Sequence, residues 1–245
     1  MNKSTVIPWK RITAEGAAIV LSILLAFAID AKWQDYLARV DEHSILSSIK
    51  AELDANLATI DKQLSYHNAM NAVIKRLFDA SDGILDLSPT VLDSHIHEVS
   101  FWSRSGFNTG TINSLSQGGN LSIVADTELR SELTDLQSLY RWVDEMERQE
   151  ELFTRHYFTP FLMKNTFLPQ IANSDPTAFE GVIVPSTSDY AKGKGVDHSY
   201  LLENNEFLGL LVREKWNHQD TISNMNYLRD RMLEVGSLID ERLVD

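Results

Sequence analysis

The sequence predicts an all-α protein, with an N-terminal transmembrane helix continuing into an elongated periplasmic helical bundle. Three observations carry that reading. One uncharged apolar run, Gly16–Ile29, stands near the start of a 245-residue chain. Beyond it, apolar residues recur at intervals of three and four, the period of one helix face. No Gly or Pro interrupts the sequence between Gly16 and Gly83, so nothing separates the run from the helix that follows.

The 14 residues of the run make about 21 Å of helix. A bilayer core of about 30 Å takes about 20 residues. Extension to Ile12–Ala31 reaches that length and puts Glu15 and Asp30 near the two interfaces. Trp9 and Trp33 flank it, where amphipathic rings settle at headgroup level. Lys3, Lys10 and Arg11, against the single acid Glu15, precede Asp30. The positive-inside rule then puts the N-terminus in the cytoplasm. The expected division is a cytoplasmic N-terminus at 1–11, a transmembrane helix at 12–31 and a periplasmic bundle at 32–245. The rival reading is a cleaved signal peptide, with Ala26-Phe27-Ala28 as its small-x-small site. Against it, the helical pattern runs on through Asp30-Ala-Lys-Trp-Gln-Asp35.

Ala14, Ala18, Ser22, Ala26 and Asp30 recur every four residues along the anchor. A ridge of small residues lets two membrane helices approach closely. The expectation is association of the anchor with itself or with another membrane protein; the alternative is the ordinary abundance of Ala in membrane helices. Arg11, Glu15 and Asp30 are the membrane-edge charges. Glu15 needs a partner there, either Arg11 one turn earlier or a base on a neighbouring chain.

Past the anchor, Ile45, Ile49, Leu53, Leu57, Ile60, Leu64, Ile74 and Leu77 continue the same helix. Ser81-Asp82-Gly83 stops it, and a bend is allowed for near Asp41–Ser44. Ser88-Pro89-Thr90 opens a second helix with Val91, Leu92, Ile96 and Val99 on one face. Ser103–Thr111 reads as a loop, and a short helix over Ile112–Gln117 ends at Gly118-Gly119. Asp126 caps a long helix. Its apolar positions are Leu129, Leu133, Leu136, Leu139 or Tyr140, Val143, Met146, Phe153, Tyr157 and Phe161, with Pro160 to kink or end it. An irregular loop over 165–198 carries Pro169, Pro176 and Pro185. Tyr200–Val244 returns to helix, with a break allowed for near His218–Asp220. Its core candidates are Leu201, Leu202, Phe207, Leu208, Leu211, Trp216, Ile222, Met225, Leu228, Met232, Val235 and Ile239.

Net charge is −13 and hydrophobic content 43%. An acidic body makes nucleic acid and anionic lipid poor partners. The chain has no Cys, which excludes disulfides, thiolate metal sites and cysteine nucleophiles. No Glu-x-x-His occurs, so the paired motif of a di-metal bundle is missing. His95 and His97 are two apart on a helix and diverge, whereas Asp93 and His97, four apart, share a face. A partly exposed polar face explains them better than a metal. Ser47-Ser48-Ile49-Lys50 matches Ser-x-x-Lys without its companion elements, and Lys192-Gly-Lys-Gly195 lacks the Walker spacing. Trp102, Phe107, Tyr140, Trp142, Phe153, Tyr157, Phe158 and Phe161 read as an ordinary aromatic core, with a ligand pocket between helices as the alternative. The sequence therefore points to no catalytic, cofactor-binding or metal residue, and to no enzyme.

The block Glu15-Gly-Ala-Ala-Ile-Val-Leu-Ser-Ile-Leu-Leu-Ala-Phe-Ala-Ile-Asp30, followed by Trp33, resembles an uncharacterised bacterial family of single-pass, membrane-anchored, all-helical proteins. Leu115…Gly119-Asn-Leu-Ser-Ile-Val…Glu128-Leu-Arg is similar to a second segment of that family. The resemblance implies an architecture and a topology, with no mechanism and no functional residue. The leading functional expectation is an accessory or scaffolding subunit of the bacterial inner membrane that meets other membrane proteins. A sensory or small-ligand-binding periplasmic bundle is the second.

Overall fold

The computed structural model describes residues 9–174 and 195–244, with side chains from Glu15 onward. Every regular element among the described residues is helical, with no strand. Helix α1 runs from Trp9 to Ser81, 73 residues without a break. Next come α2 (Pro89–Glu98), α3 (Gly110–Gln117) and a 3-10 turn (Asn120–Ile123). Helix α4 (Thr127–Phe153) passes through a π turn (Thr154–Phe158) into α5 (Thr159–Asn165). The short α6 (Leu168–Ala172), a second 3-10 turn (Ser199–Glu203) and the long α7 (Asn205–Val244) complete the chain.

Three rods make the bundle. Contacts between α1 and α7 descend in register: Lys50 with Asp240, Asp61 with Arg229, His67 with His218. The two helices are therefore antiparallel. Contacts between α1 and the α4 rod ascend, from Glu42 with Ala125 to Asn56 with Tyr140 and His67 with Glu150. Those two are parallel. The expected N-caps are in place: Ser88 Oγ accepts from the Val91 N–H, and an Asp126 oxygen accepts from the N–H groups of Glu128 and Leu129. Such caps satisfy donors that the first helical turn leaves open.

Burial falls into two apolar clusters. The anchor-side cluster joins Leu46, Ile49, Leu53 and Ile60 to Leu129, Leu133, Leu136 and Val143, and to Met225, Leu228, Met232 and Ile239. The distal cluster joins Met70, Ile74 and Leu77 to Leu92, Ile96, Phe158, Leu162, Phe207 and Leu211. Between them all three rods turn polar on their inner faces. His67 fills that place on α1; Glu147, Glu150 and Thr154 fill it on the α4 rod; Glu214, Asn217, His218 and Thr221 fill it on α7.

Several expectations need correction. Helix α1 passes Asp41–Ser44 unbroken, and α7 passes His218–Asp220 unbroken. In α7 the core phase continues through Glu214, His218 and Thr221, so the helix has no cause to stop. Trp216 falls off that phase and is 56% exposed; Tyr157, off phase on the α4 rod, is 63% exposed. Pro160 does not end its helix. It lacks the N–H that the carbonyl four residues back would take, and its ring crowds that carbonyl. The preceding π turn, closed by Thr159 N–H on Thr154 O, takes up the mismatch. The irregular stretch 165–198 holds α6 at one end and merges into a 3-10 turn at the other; its residues 175–194 lie outside the described residues.

The N-terminal part of α1 is the one described helix long and apolar enough to cross a membrane, and none of its apolar window is buried within the protein.

Candidate functional site

Three of the small residues expected to form a ridge lie on the apolar end of α1. Ala18, Ser22 and Ala26 are all exposed. The Ser22 hydroxyl donates back to the Ala18 carbonyl at 2.8 Å, which leaves the ridge without an outward donor. Asp30 accepts from Gln34 Nε2 at 2.8 Å. Glu15 is exposed. The side chains of Ala14 and Arg11 lie outside the described residues, so the Arg11–Glu15 pair does too.

The chemistry that sequence reasoning missed is the polar layer between the two cores. His67 and His218 bring their Nδ1 atoms to 2.9 Å, so in the absence of other ligands one ring donates and the other accepts. Glu150 lies against both, at 3.8 Å from His67 Nδ1 and 3.5 Å from His218 Nδ1. All three side chains are buried. Neither Glu150 oxygen has a hydrogen-bond donor among the described residues, and His67 Nε2 has no partner either. The Tyr66 ring stands edge-on to both imidazoles, centroids 5.0 and 6.1 Å away, and its hydroxyl donates to Phe101 O.

Two more buried carboxyl groups lie in the same layer. Glu214 accepts from Thr154 Oγ1 at 2.9 Å and from Asn217 Nδ2 at 3.4 Å. Glu147 accepts from the Ser105 N–H at 2.9 Å and from its hydroxyl. Thr154 is the first residue of the π turn. Such local unwinding inside an α-helix is frequent at functional sites.

Burial dominates the electrostatics. Desolvation holds the Glu150 carboxyl well above its usual range, and the charges of Glu214 and Glu147 push the same way. Desolvation raises Glu214 to about 7 and raises Glu147. It pushes His67 down to about 4 and His218, with help from His67, down to about 3. No lysine or arginine is buried among the described residues. The protein alone thus favours two neutral imidazoles beside a protonated carboxyl, since an unpaired buried carboxylate costs several kcal/mol.

The motifs weighed in the sequence part company here. Asp93 Oδ1 meets His198 Nδ1 at 2.7 Å, while His97 Nδ1 meets Ser174 O at 3.0 Å. The Phe167 N–H donates to His198 Nε2, so the His198 proton sits on Nδ1 and ties the end of the irregular stretch to α2. His95 pairs with Glu98 instead. Lys50 is spoken for by Asp54 and Asp240, and Ser47 and Ser48 bond back to their own helix. Of the aromatic group, Tyr140, Phe158 and Phe161 are buried, and the two phenylalanines pack on Phe207; Trp142 is exposed. Of Lys192–Gly195, only Gly195 is described.

No family model matches the chain, and no curated protein or solved structure matches it.

Proposed function

We propose that the chain is a membrane-tethered accessory or scaffolding subunit of the bacterial inner membrane. Its N-terminus lies in the cytoplasm, its bundle in the periplasm, and its work is to meet other membrane proteins. The observation that carries this reading is the exposed apolar end of α1, which runs without a break into the central rod of the bundle. A helix of that composition needs an apolar surrounding, and nothing within the described fold covers it. The small-residue ridge Ala18, Ser22 and Ala26, facing outward, is the surface such a subunit would offer a neighbouring helix.

Fusions at Asp245 test the topology. An active alkaline phosphatase and a dark green fluorescent protein are expected; the reverse pattern refutes the orientation. A mature N-terminus at Ile29 would show a cleaved segment and refute the tether. Purification in mild detergent should bring down a stoichiometric membrane partner or a second copy, and a lone monomer refutes the scaffolding role. A second reading, a ligand-binding bundle, is favoured by the buried polar layer.

A further inference from the structure

We propose that His67, Glu150 and His218 bind one divalent first-row transition-metal ion, held between the two apolar cores of the bundle. The inference goes beyond the tethering role and stands or falls independently of it.

Geometry is the first support. Each of the three residues comes from a different rod, and one ligand atom from each lies within 4.8 Å of the others. Two ligand atoms at about 2.1 Å from a common ion stand roughly 3.0–3.5 Å apart for angles between square and tetrahedral. The observed separations are 2.9 Å between the imidazoles and 3.5 and 3.8 Å to the carboxylate. The 3.5 Å separation runs from His218 to one Glu150 oxygen and the 3.8 Å separation from His67 to the other, so the carboxylate faces both imidazoles at distances close to those of ligands on one ion.

The second support is the state of the ligand atoms. Glu150 is 1% exposed, and neither of its oxygens has a protein donor among the described residues. Buried polar atoms in folded proteins almost always find a partner. Glu214 and Glu147 place two further carboxyl groups in the same buried layer, and among the described residues no buried lysine or arginine offers a counter-charge. A dication supplies that positive charge and gives the Glu150 oxygens a partner.

Donor chemistry sets the class of ion. Two imidazoles with one carboxylate suit zinc, ferrous iron, manganese and their neighbours. Calcium and magnesium prefer all-oxygen shells. Three protein ligands leave at least one coordination position for water or a small ligand. Because the ion ties α1, α4 and α7 together at the level where apolar packing lapses, binding should also raise the melting temperature.

The test uses the full chain in mild detergent, stripped with EDTA and then offered Zn²⁺, Mn²⁺, anaerobic Fe²⁺ or Mg²⁺ alone. Elemental analysis after desalting should find one equivalent of a transition metal and no magnesium. Glu150→Gln and His218→Asn, checked for folding by circular dichroism, should lose more than about a hundredfold in affinity, since losing an outer-shell partner already costs about 10–100-fold. His156→Asn, on the exposed face of the π turn, should bind like the wild type. X-ray absorption of the zinc-loaded wild type should show scattering from two imidazoles, a readout that does not depend on any variant folding. Absence of retained transition metal, undiminished binding in folded Glu150→Gln, or a spectrum without imidazole ligation would overturn the proposal and leave a hydrogen-bonded neutral cluster in its place.

Discussion

Glu214 faces Thr154 and the Glu150 carboxyl from the α4 rod, Tyr66 from α1, and Arg213 and Asn217 on its own helix. Desolvation lifts its pKa from 4.5 to about 7. The folded state therefore holds this proton more tightly than the unfolded state. That contribution is fully present below pH 4.5 and is lost as pH rises through about 7. At about 1.4 kcal/mol per unit it amounts to something on the order of 3 kcal/mol. His67 and His218 act in the opposite sense: their folded pKa values lie below 6.5, so they cost stability as pH falls under that value. With chelator present, the wild type should melt highest between pH 4.5 and 6.5 and lose stability towards pH 8. Burial raises Glu150 and Glu147 as well, so part of the alkaline decline is theirs; Glu214→Gln should make the decline shallower, and an equally steep one in the variant would show that Glu214 does not contribute. Asn56 offers a second measurement. Its amide donates to Asn108 O and Tyr140 Oη while its oxygen accepts from the Asn108 N–H. Asn56→Ala should cost about 1–3 kcal/mol in chemical denaturation, because it strands the Asn108 backbone groups. Neither residue was legible in the sequence. Hydropathy marks Leu53 and Ile60 as inward, but it cannot tell a polar residue on the core phase from one on the outer face. The signal was there as a gap: from Leu211 to Met225 no ladder of threes and fours closes through apolar residues alone, and one that does close runs through Glu214, His218 and Thr221. Reading by apolar residues alone put Trp216 inside instead.

Elements long enough to carry several turns and a cap announced themselves. Helix α4 begins where Asp126 places it, and α2 where Ser88 and Pro89 place it. The short α6 and the two 3-10 turns have too few residues for periodicity to show. Contacts from other elements hold them, as Gln170 does for α6: its amide donates to Asp93 and its oxygen accepts from the Val196 N–H. Within α7, Gly209 is exposed, and a methyl group added there meets nothing within 4 Å. Gly209→Ala should therefore stabilise the protein by about 1 kcal/mol, the difference in helix propensity. No change, or a loss, in denaturant midpoint would mean that this end of α7 is not helical in solution. The anchor end of α1 makes its own prediction. Ala18→Ile with Ala26→Ile fills the small-residue groove and keeps the segment apolar, so insertion should survive while crosslinking in membranes falls. Leu21→Ile with Leu25→Ile changes the same number of positions on another stripe and should do little. Equal yields from both pairs would make the ridge incidental.

At the scale of the molecule, the two cores begin at Leu46, and the apolar run before Asp30 contributes nothing to either. A chain starting at Asp35 should stay in solution without detergent, keep its helical spectrum and retain the metal stoichiometry. Aggregation of that shortened chain on a sizing column would show that the anchor is part of what folds the bundle. The 73-residue span of α1 amounts to about 110 Å of helix. His67 then stands roughly 55 Å, and Ser81 roughly 75 Å, above Asp30 at 1.5 Å per residue. Membrane helices change tilt at modest cost. A swing of about 10° about a fulcrum at Asp30 carries Ser81 sideways by about 13 Å on that rise. From Ala17 to Ser81, no Gly, Pro or π turn absorbs the motion. If the apolar end of α1 spans a bilayer as proposed, it is the short arm of a lever, and a neighbour that leans on it moves the far end of the bundle farther than itself.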